Sequence, residues 1–418
     1  MKLVRLSTAY ADYLKYFFEN HKGLENECFA RQHETLMYDG FGWADFFRNA
    51  LEPLGYNVEE IVANAEPIQR VWARENGLSQ PGKDWLLRLA ADRVKAAAPD
   101  ILFISDYTTF SRAWIEDLRT KCPSIRMVLG WCGAPFQDST VFSGYDVVLS
   151  CVPELVEMFR GMGHKSYHLN HAFDKRILDR IDAPGERRYD FTFVGQIHRQ
   201  AGFHRERENI LLNLVDHTPL IIFSMSSCIG PGKYIMSFLR KGIHSIHSGL
   251  LRVGLQEKLL DRIPIVSRGI RYRDNPLLPV HPGLKKHLTA PCFGLEMFRV
   301  LRDSKVTFNS HLNISVHSSS NMRMFETTGV GTCLLTDHME KTSELFVPDK
   351  EVVTYRSAEE CIEKVVYLLE HPSERNAIAR AGQIRTLREH SFHVRAQVLD
   401  GIIKGWFKNI PESTKKNP

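Results

Sequence analysis

Short apolar runs separated by stretches of helical spacing recur along the whole chain. A strand covered on both faces reads as an unbroken apolar run rather than an alternating one. Residues 101–105 (ILFIS), 126–131, 147–150, 191–195, 220–223, 305–309 and 333–336 have that form, and 2–7, 56–62, 264–267 and 352–355 complete the expected strands. Between them, 12–20, 42–54, 84–98, 206–216, 255–261 and 294–303 carry apolar residues at helical spacing, and 357–370, 373–389 and 393–407 form a helical C-terminal third. Pro99 stops the helix 84–98 just before the ILFIS run, as a ring without an N–H must. Strands alternating with helices predict parallel sheets, hence an α/β fold.

A chain of 418 residues exceeds what one core serves, so two domains are expected. The segments 168–173 and 182–188 read as the connection, because FTFVG at 191–195 restarts a strand. The boundary falls near residue 185, giving Rossmann-like domains at 1–185 and 186–390 and a terminal helix and tail at 391–418. The stretch 227–291 is dense in Pro, Gly, His and Arg and reads as an irregular insertion.

Composition narrows the function classes. Apolar content of 43% and charged content of 25% are ordinary for a globular enzyme, and no run approaches the roughly 18 apolar residues of a membrane span. The start MKLVRLSTAYADYLKYFFEN contains acids and no apolar core, so it does not read as a signal peptide, and a cytoplasmic location is expected. A net charge of +5 without long basic blocks argues against nucleic acid. It suits phosphorylated substrates, and a peripheral contact with the inner membrane face stays open. Eight single cysteines with no C-x-x-C pair read as reduced thiols.

The stretch Ser318 to Asp337, SSSNMRMFETTGVGTCLLTD, carries the strongest chemical signal. It reads as loop, helix, glycine stop and buried strand. Free N–H groups at a helix start favour an anion, and Arg323 adds a guanidinium suited to phosphate oxygens. Glu326, one turn on, can accept two ribose hydroxyls; Ser320 and Asn321 offer polar contacts at the start. The plainer alternative is a solvated ion pair at i, i+3. Gly195 ends an apolar strand and would let backbone approach a pyrophosphate, with Arg199 supplying charge and Arg205 and Arg207 as weaker candidates. Asp106, at the carboxyl end of the ILFIS strand, is a candidate base and equally a turn-capping residue. Asp138 is a second acidic candidate, and Trp131 reads as a sugar platform or a core residue. His311, Asn313 and His317 occupy the loop before the helix, and His317 is the third catalytic candidate. His164, His168 and His171 do not share a strand face, and no D-x-D occurs, so no metal or other cofactor is expected.

Several of these pieces resemble the CgeB-like glycosyltransferases, a bacterial group related to the GT-B superfamily of family 4 type. They are YDFTFVGQIHRQ (189–200), CFGLEMFRVLRDSKVTFNSH (292–311), NMRMFETTGVGTCLLTD (321–337) and the stretch 344–392, with a looser match through WCGAPFQD (131–138) and 145–163. The resemblance implies two facing Rossmann-like domains, a terminal helix crossing back to the first, a nucleotide-diphospho-sugar donor on the second domain, and an acceptor glycan or glycosylated carrier on the first. It also implies a metal-free hexosyl transfer of the kind used in polysaccharide biosynthesis. Family 4 retaining enzymes carry two glutamates with seven residues between. Glu326 matches the second; Ser318 stands where the first would be, which leaves the stereochemical course open. A sugar-nucleotide epimerase or phosphorylase-like enzyme, or a non-catalytic nucleotide-sugar-binding protein, are the alternatives on such a fold.

Overall fold

In a computed structural model the described residues are 1–79, 82–182, 185–197, 199, 205–253, 278–311, 317, 318 and 321–409. Two six-stranded parallel sheets form the frame. The first has the order β2-β1-β3-β4-β5-β6, from β1 (Lys2–Ser7), β2 (Asn57–Val62), β3 (Ile101–Ile104), β4 (Met127–Trp131), β5 (Val147–Ser150) and β6 (Ser166–His168). The second has the order β12-β11-β10-β7-β8-β9, from β7 (Tyr189–Val194), β8 (Leu220–Phe223), β9 (Leu288–Thr289), β10 (Ser304–Asn309), β11 (Cys333–Asp337) and β12 (Val353–Tyr355). Both are doubly wound: chain order reverses where β1 adjoins β3 in one sheet and where β7 adjoins β10 in the other. Ligands of open α/β sheets bind at such reversals, outside the carboxyl ends of the strands.

The expected strands 264–267 and helix 255–261 lie outside the described residues. Three expectations change. Residues 42–45 are a turn, with Gly42 and Ala44 at positive φ, so helix begins only at Phe46–Leu51 and tightens to a 3-10 turn at Glu52–Leu54, where Pro53 sits. Edge strands β6 and β9 were not anticipated, being too short to show a period. The stretch read as irregular contains a helix of 22 residues, Pro231–Arg252.

The terminal helix Phe392–Lys408 crosses back to the first domain. Phe392 packs on Phe46 and Phe47, each with ring centroids 5.1 Å away, and Ala396, Leu399 and Ile403 are buried in the same core. Tyr56 donates to Asp400 at 2.8 Å, and Arg126 and Lys165 sit over the rings of Phe407 and Trp406. The two interdomain crossings are also laced to each other. Phe173 N–H donates to His390 O, Phe392 N–H donates to Phe173 O, and Arg395 donates to the carbonyls of Asn170 and His171. Arg395 also donates to His390 Nδ1, so that ring's Nε2–H donates to Leu345 O at 2.8 Å and the imidazole is satisfied neutral. A further interdomain contact forms where Asp39 accepts from Tyr13 and from the N–H of Leu295, at the start of the helix Gly294–Arg302. Gly294 holds φ +51 there, and a Cβ on it would overlap the Asp39 carboxylate.

Candidate active-site cleft

Ser7 and Thr8 at the end of β1 and Ser105 after β3 face Gly195 after β7 and Asn309 and Ser310 at the end of β10, across one cleft of about 530 Å³. Both chain reversals therefore open onto the same space. Thr8 Oγ1 closes the first of them by donating to Asp106 at 2.6 Å.

The helix Met322–Gly329 points its start into this cleft. Its residues are a short amphipathic set: Met324 and Phe325 are buried, and Asn321 caps the start by accepting from Met324 N–H at 3.2 Å. The same Asn321 donates to Asn309 Oδ1 at 2.8 Å, tying the helix start to the end of β10. The expected glycine stop is shifted: Gly329 is helical and leaves room for the ring of Phe173, while Gly331 takes the left-handed conformation after the helix. Arg323 and Glu326 pair at 2.7 Å on the cleft wall, and Arg323 also donates to the sulfur of Met297. Burial pushes the Glu326 carboxyl up from the usual carboxylate range, opposed by the Arg323 charge.

Among the residues expected from sequence, Gly195, Asn321, Arg323 and Glu326 line this one cleft, as does Trp131. Ser320 and Asn313 lie outside the described residues. Arg199 is turned away: its Nε pairs with Glu208 at 2.6 Å and its Nη1 donates to Leu278 O. Arg207 lines the cleft instead, donating to Ser310 O at 2.5 Å, with burial lowering its pKa.

The three catalytic candidates sit outside the cleft lining. Asp106 accepts from the hydroxyls of Thr8, Thr108 and Thr109 at 2.6 Å and from the N–H groups of Thr108 and Thr109. Burial raises its pKa, but these bonds more than offset it and hold it ionised below the usual range. Both its oxygens are thus committed to the turn. Asp138 is exposed and accepts from the N–H and hydroxyl of Thr140 at 2.8 Å, bonds that lower its pKa. His317 is exposed with Nδ1 2.7 Å from Glu340. His311 is buried, bonded to Asp337 through its N–H and its ring, with Nδ1 2.7 Å from the carboxylate. Asp337 is in turn held below the usual carboxylate range: burial raises it, and His311 more than compensates. Among the described residues no three of His, Cys, Asp and Glu converge.

Four groups were not assigned to the site from the sequence. Arg5 lines the cleft from inside a buried strand, paired with Glu60 at 2.5 Å; a charge within KLVRLS was the available signal. Trp43 meets Trp131 edge to face at 4.6 Å. His171 sits against both, with ring centroids 5.9 and 5.5 Å away. Burial, reinforced by Arg395, pushes the His171 pKa down to about 3, and its Nδ1 is shielded from solvent without a hydrogen-bond partner among the described residues. Finally, Glu154 of the first domain reaches across to Ser318, whose hydroxyl donates to it at 2.9 Å.

Fold and cleft together define a two-domain GT-B architecture. Residues 252–400 match the family model described as "Glycosyl transferase-like". No curated protein matches the chain. Among solved structures it is similar to sucrose-phosphate synthase from Thermosynechococcus elongatus, at 10% identity over 98% of this chain and 100% of that one, with a TM-score of 0.51. It is also similar to Anabaena Alr3699/HepE in complex with UDP-glucose, at 9% identity over 97% and 100% with a TM-score of 0.55. An alpha-glucosyltransferase in complex with UDP-glucose and DNA containing an abasic site matches at 11% identity over 97% and 99%, with a TM-score of 0.55. At such identities the likeness is one of fold.

Proposed function

We propose that this protein is a metal-independent glycosyltransferase that moves a hexose from a nucleotide-diphospho-sugar to a glycan or glycosylated-carrier acceptor. The observation that carries the reading is the convergence of a helix start, Arg323, Arg207, Gly195 and a buried carboxylate, Glu326, at the chain reversal of the second sheet. The N–H groups of the first helical turn and the two guanidiniums stabilise the diphosphate as the C1–oxygen bond breaks, and Glu326 accepts from the ribose hydroxyls. The second domain, from about residue 186 to 390, holds the donor, and the first, 1–185, presents the acceptor over Trp43, Trp131 and His171. The acceptor oxygen attacks C1, and its proton leaves to a donor phosphate oxygen or a nearby base. Asp106, filled by five hydrogen bonds, acts in this scheme by shaping the β1/β3 crevice. Glu154 supplies from the first domain the carboxylate that Ser318 lacks. The CgeB-like subfamily is the assignment we favour, on the motifs at 189–200 and 321–337.

Calorimetry with UDP, GDP and dTDP, followed by mass spectrometry of products from the matching nucleotide sugars, tests the reading. Transfer of a hexose to an added glycan is expected. A changed nucleotide sugar formed without acceptor would indicate an epimerase, phosphate-dependent cleavage a phosphorylase, and tight donor binding with no turnover over a broad panel a binding protein.

A further inference from the structure

The helix Pro231–Arg252 is amphipathic the wrong way round for a soluble domain. At about 100° per residue, positions 235, 238, 239, 242, 246 and 253 share one face. Ile235, Phe238, Leu239, Ile246 and Val253 on that face are 60, 60, 56, 57 and 74% exposed, whereas Ser237 and His247 on the opposite side are each 7% exposed. Ser237 and His247 lie against the protein, Lys233, Arg240 and Arg252 on the polar side stay exposed, and the apolar side faces outward. A patch of this kind marks an interaction surface.

Charge identifies the occupant. Residues 231–253 contain Lys233, Arg240, Lys241 and Arg252 and no Asp or Glu. Lys285, from the 3-10 turn Pro282–His287 with its Lys286, lies over the ring of Tyr234 on this helix. The cations lie around the helix from the stripe, where their long side chains can reach the headgroups of an anionic bilayer whose acyl chains take the apolar stripe. No described helix is long and apolar enough to cross a membrane, so the helix would lie in the interface.

We infer that the helix Pro231–Arg252 docks the protein onto an anionic lipid bilayer, its apolar stripe seated among the acyl chains. Met225, Ser226 and Cys228 in the segment leading into it line a second cavity between the domains together with Tyr16 and Phe293, so docking brings that cavity close to the lipid surface. This inference stands independently of the donor chemistry.

The test is vesicle flotation of the full chain with pure phosphatidylcholine and with phosphatidylcholine containing roughly a third phosphatidylglycerol. Wild type should float with the anionic vesicles, at least tenfold more weakly with neutral ones, and lose binding as salt screens the attraction. The variant Phe238→Ser/Leu239→Ser/Ile246→Ser should lose flotation while its melting temperature stays within a few degrees of wild type, because these side chains are exposed. Lys233→Gln/Lys241→Gln should lose only the preference for anionic vesicles. The inference is overturned if wild type ignores anionic vesicles, if the triple serine variant floats as wild type does, or if wild type is a dimer that the serines make monomeric without any vesicle binding.

Discussion

Removing the Glu326 carboxylate separates a nucleotide clamp from a helix brace. With Glu326 holding the ribose as proposed, Glu326→Ala removes a charged acceptor, a bond worth roughly 1.5–3 kcal/mol. Taking about 2 kcal/mol, the dissociation constant for UDP or GDP, whichever binds, should rise roughly thirtyfold. The same change strips Arg323 of its partner 2.7 Å away. Arg323 keeps 19% of its side chain exposed and can reach cleft water, so the stability loss should fall below the ~3–5 kcal/mol of breaking a fully buried pair. Calorimetry with the nucleotide and its 2′-deoxy analogue tells the two roles apart. Wild type should prefer the ribonucleotide, and the variant should lose that preference. If Glu326→Ala lowers the melting temperature but leaves affinity and the ribose preference intact, Glu326 only braces the helix and the donor assignment is wrong.

Two further outcomes concern stability. Burial pushes His33, His171 and His390 down to about 4, 3 and 4; each is neutral when folded and protonates near 6.5 when unfolded, so their contribution is present at neutral pH and is lost as pH falls below about 6.5. By pH 5 each removes up to about 2 kcal/mol, and urea titrations at pH 7 and pH 5 giving equal midpoints would refute this. Phe392→Ala, at a ring 2% exposed between Phe46 and Phe47, should destabilise the first domain by about 3–5 kcal/mol; a melting temperature unchanged from wild type would mean that the crossing helix does not anchor there.

How far the chain could be read depended on the length scale of each signal. Ten of the twelve described strands are legible, seven of them as unbroken apolar runs, because a sheet covered on both faces admits little else. The edge strands Ser166–His168 and Leu288–Thr289 are too brief to do so. The helix Pro231–Arg252 was hidden by Gly232, Gly242, Gly249 and its scattered histidines and arginines, and by an apolar stripe that is exposed rather than buried. Within the site, Arg323, Glu326, Asn321 and Gly195 were legible because a helix start and a strand end are local objects with local chemistry.

What the sequence by itself determined is therefore the succession of strands and helices, the two-series α/β organisation, and a helix beginning after Asn321 with Arg323 and Glu326 one turn apart. Only the tertiary structure decided that Arg207 rather than Arg199 faces the cleft, because Glu208 captures Arg199. It alone brought Arg5, Trp43 and His171 to the opposing wall, set Glu154 against Ser318, and added Thr8 to the local turn that holds Asp106. The physical reason is reach: periodicity and capping act between residues a few positions apart, whereas a cleft is made by side chains from many separate strands and helices, whose meeting is settled by how the two sheets and the returning helix pack.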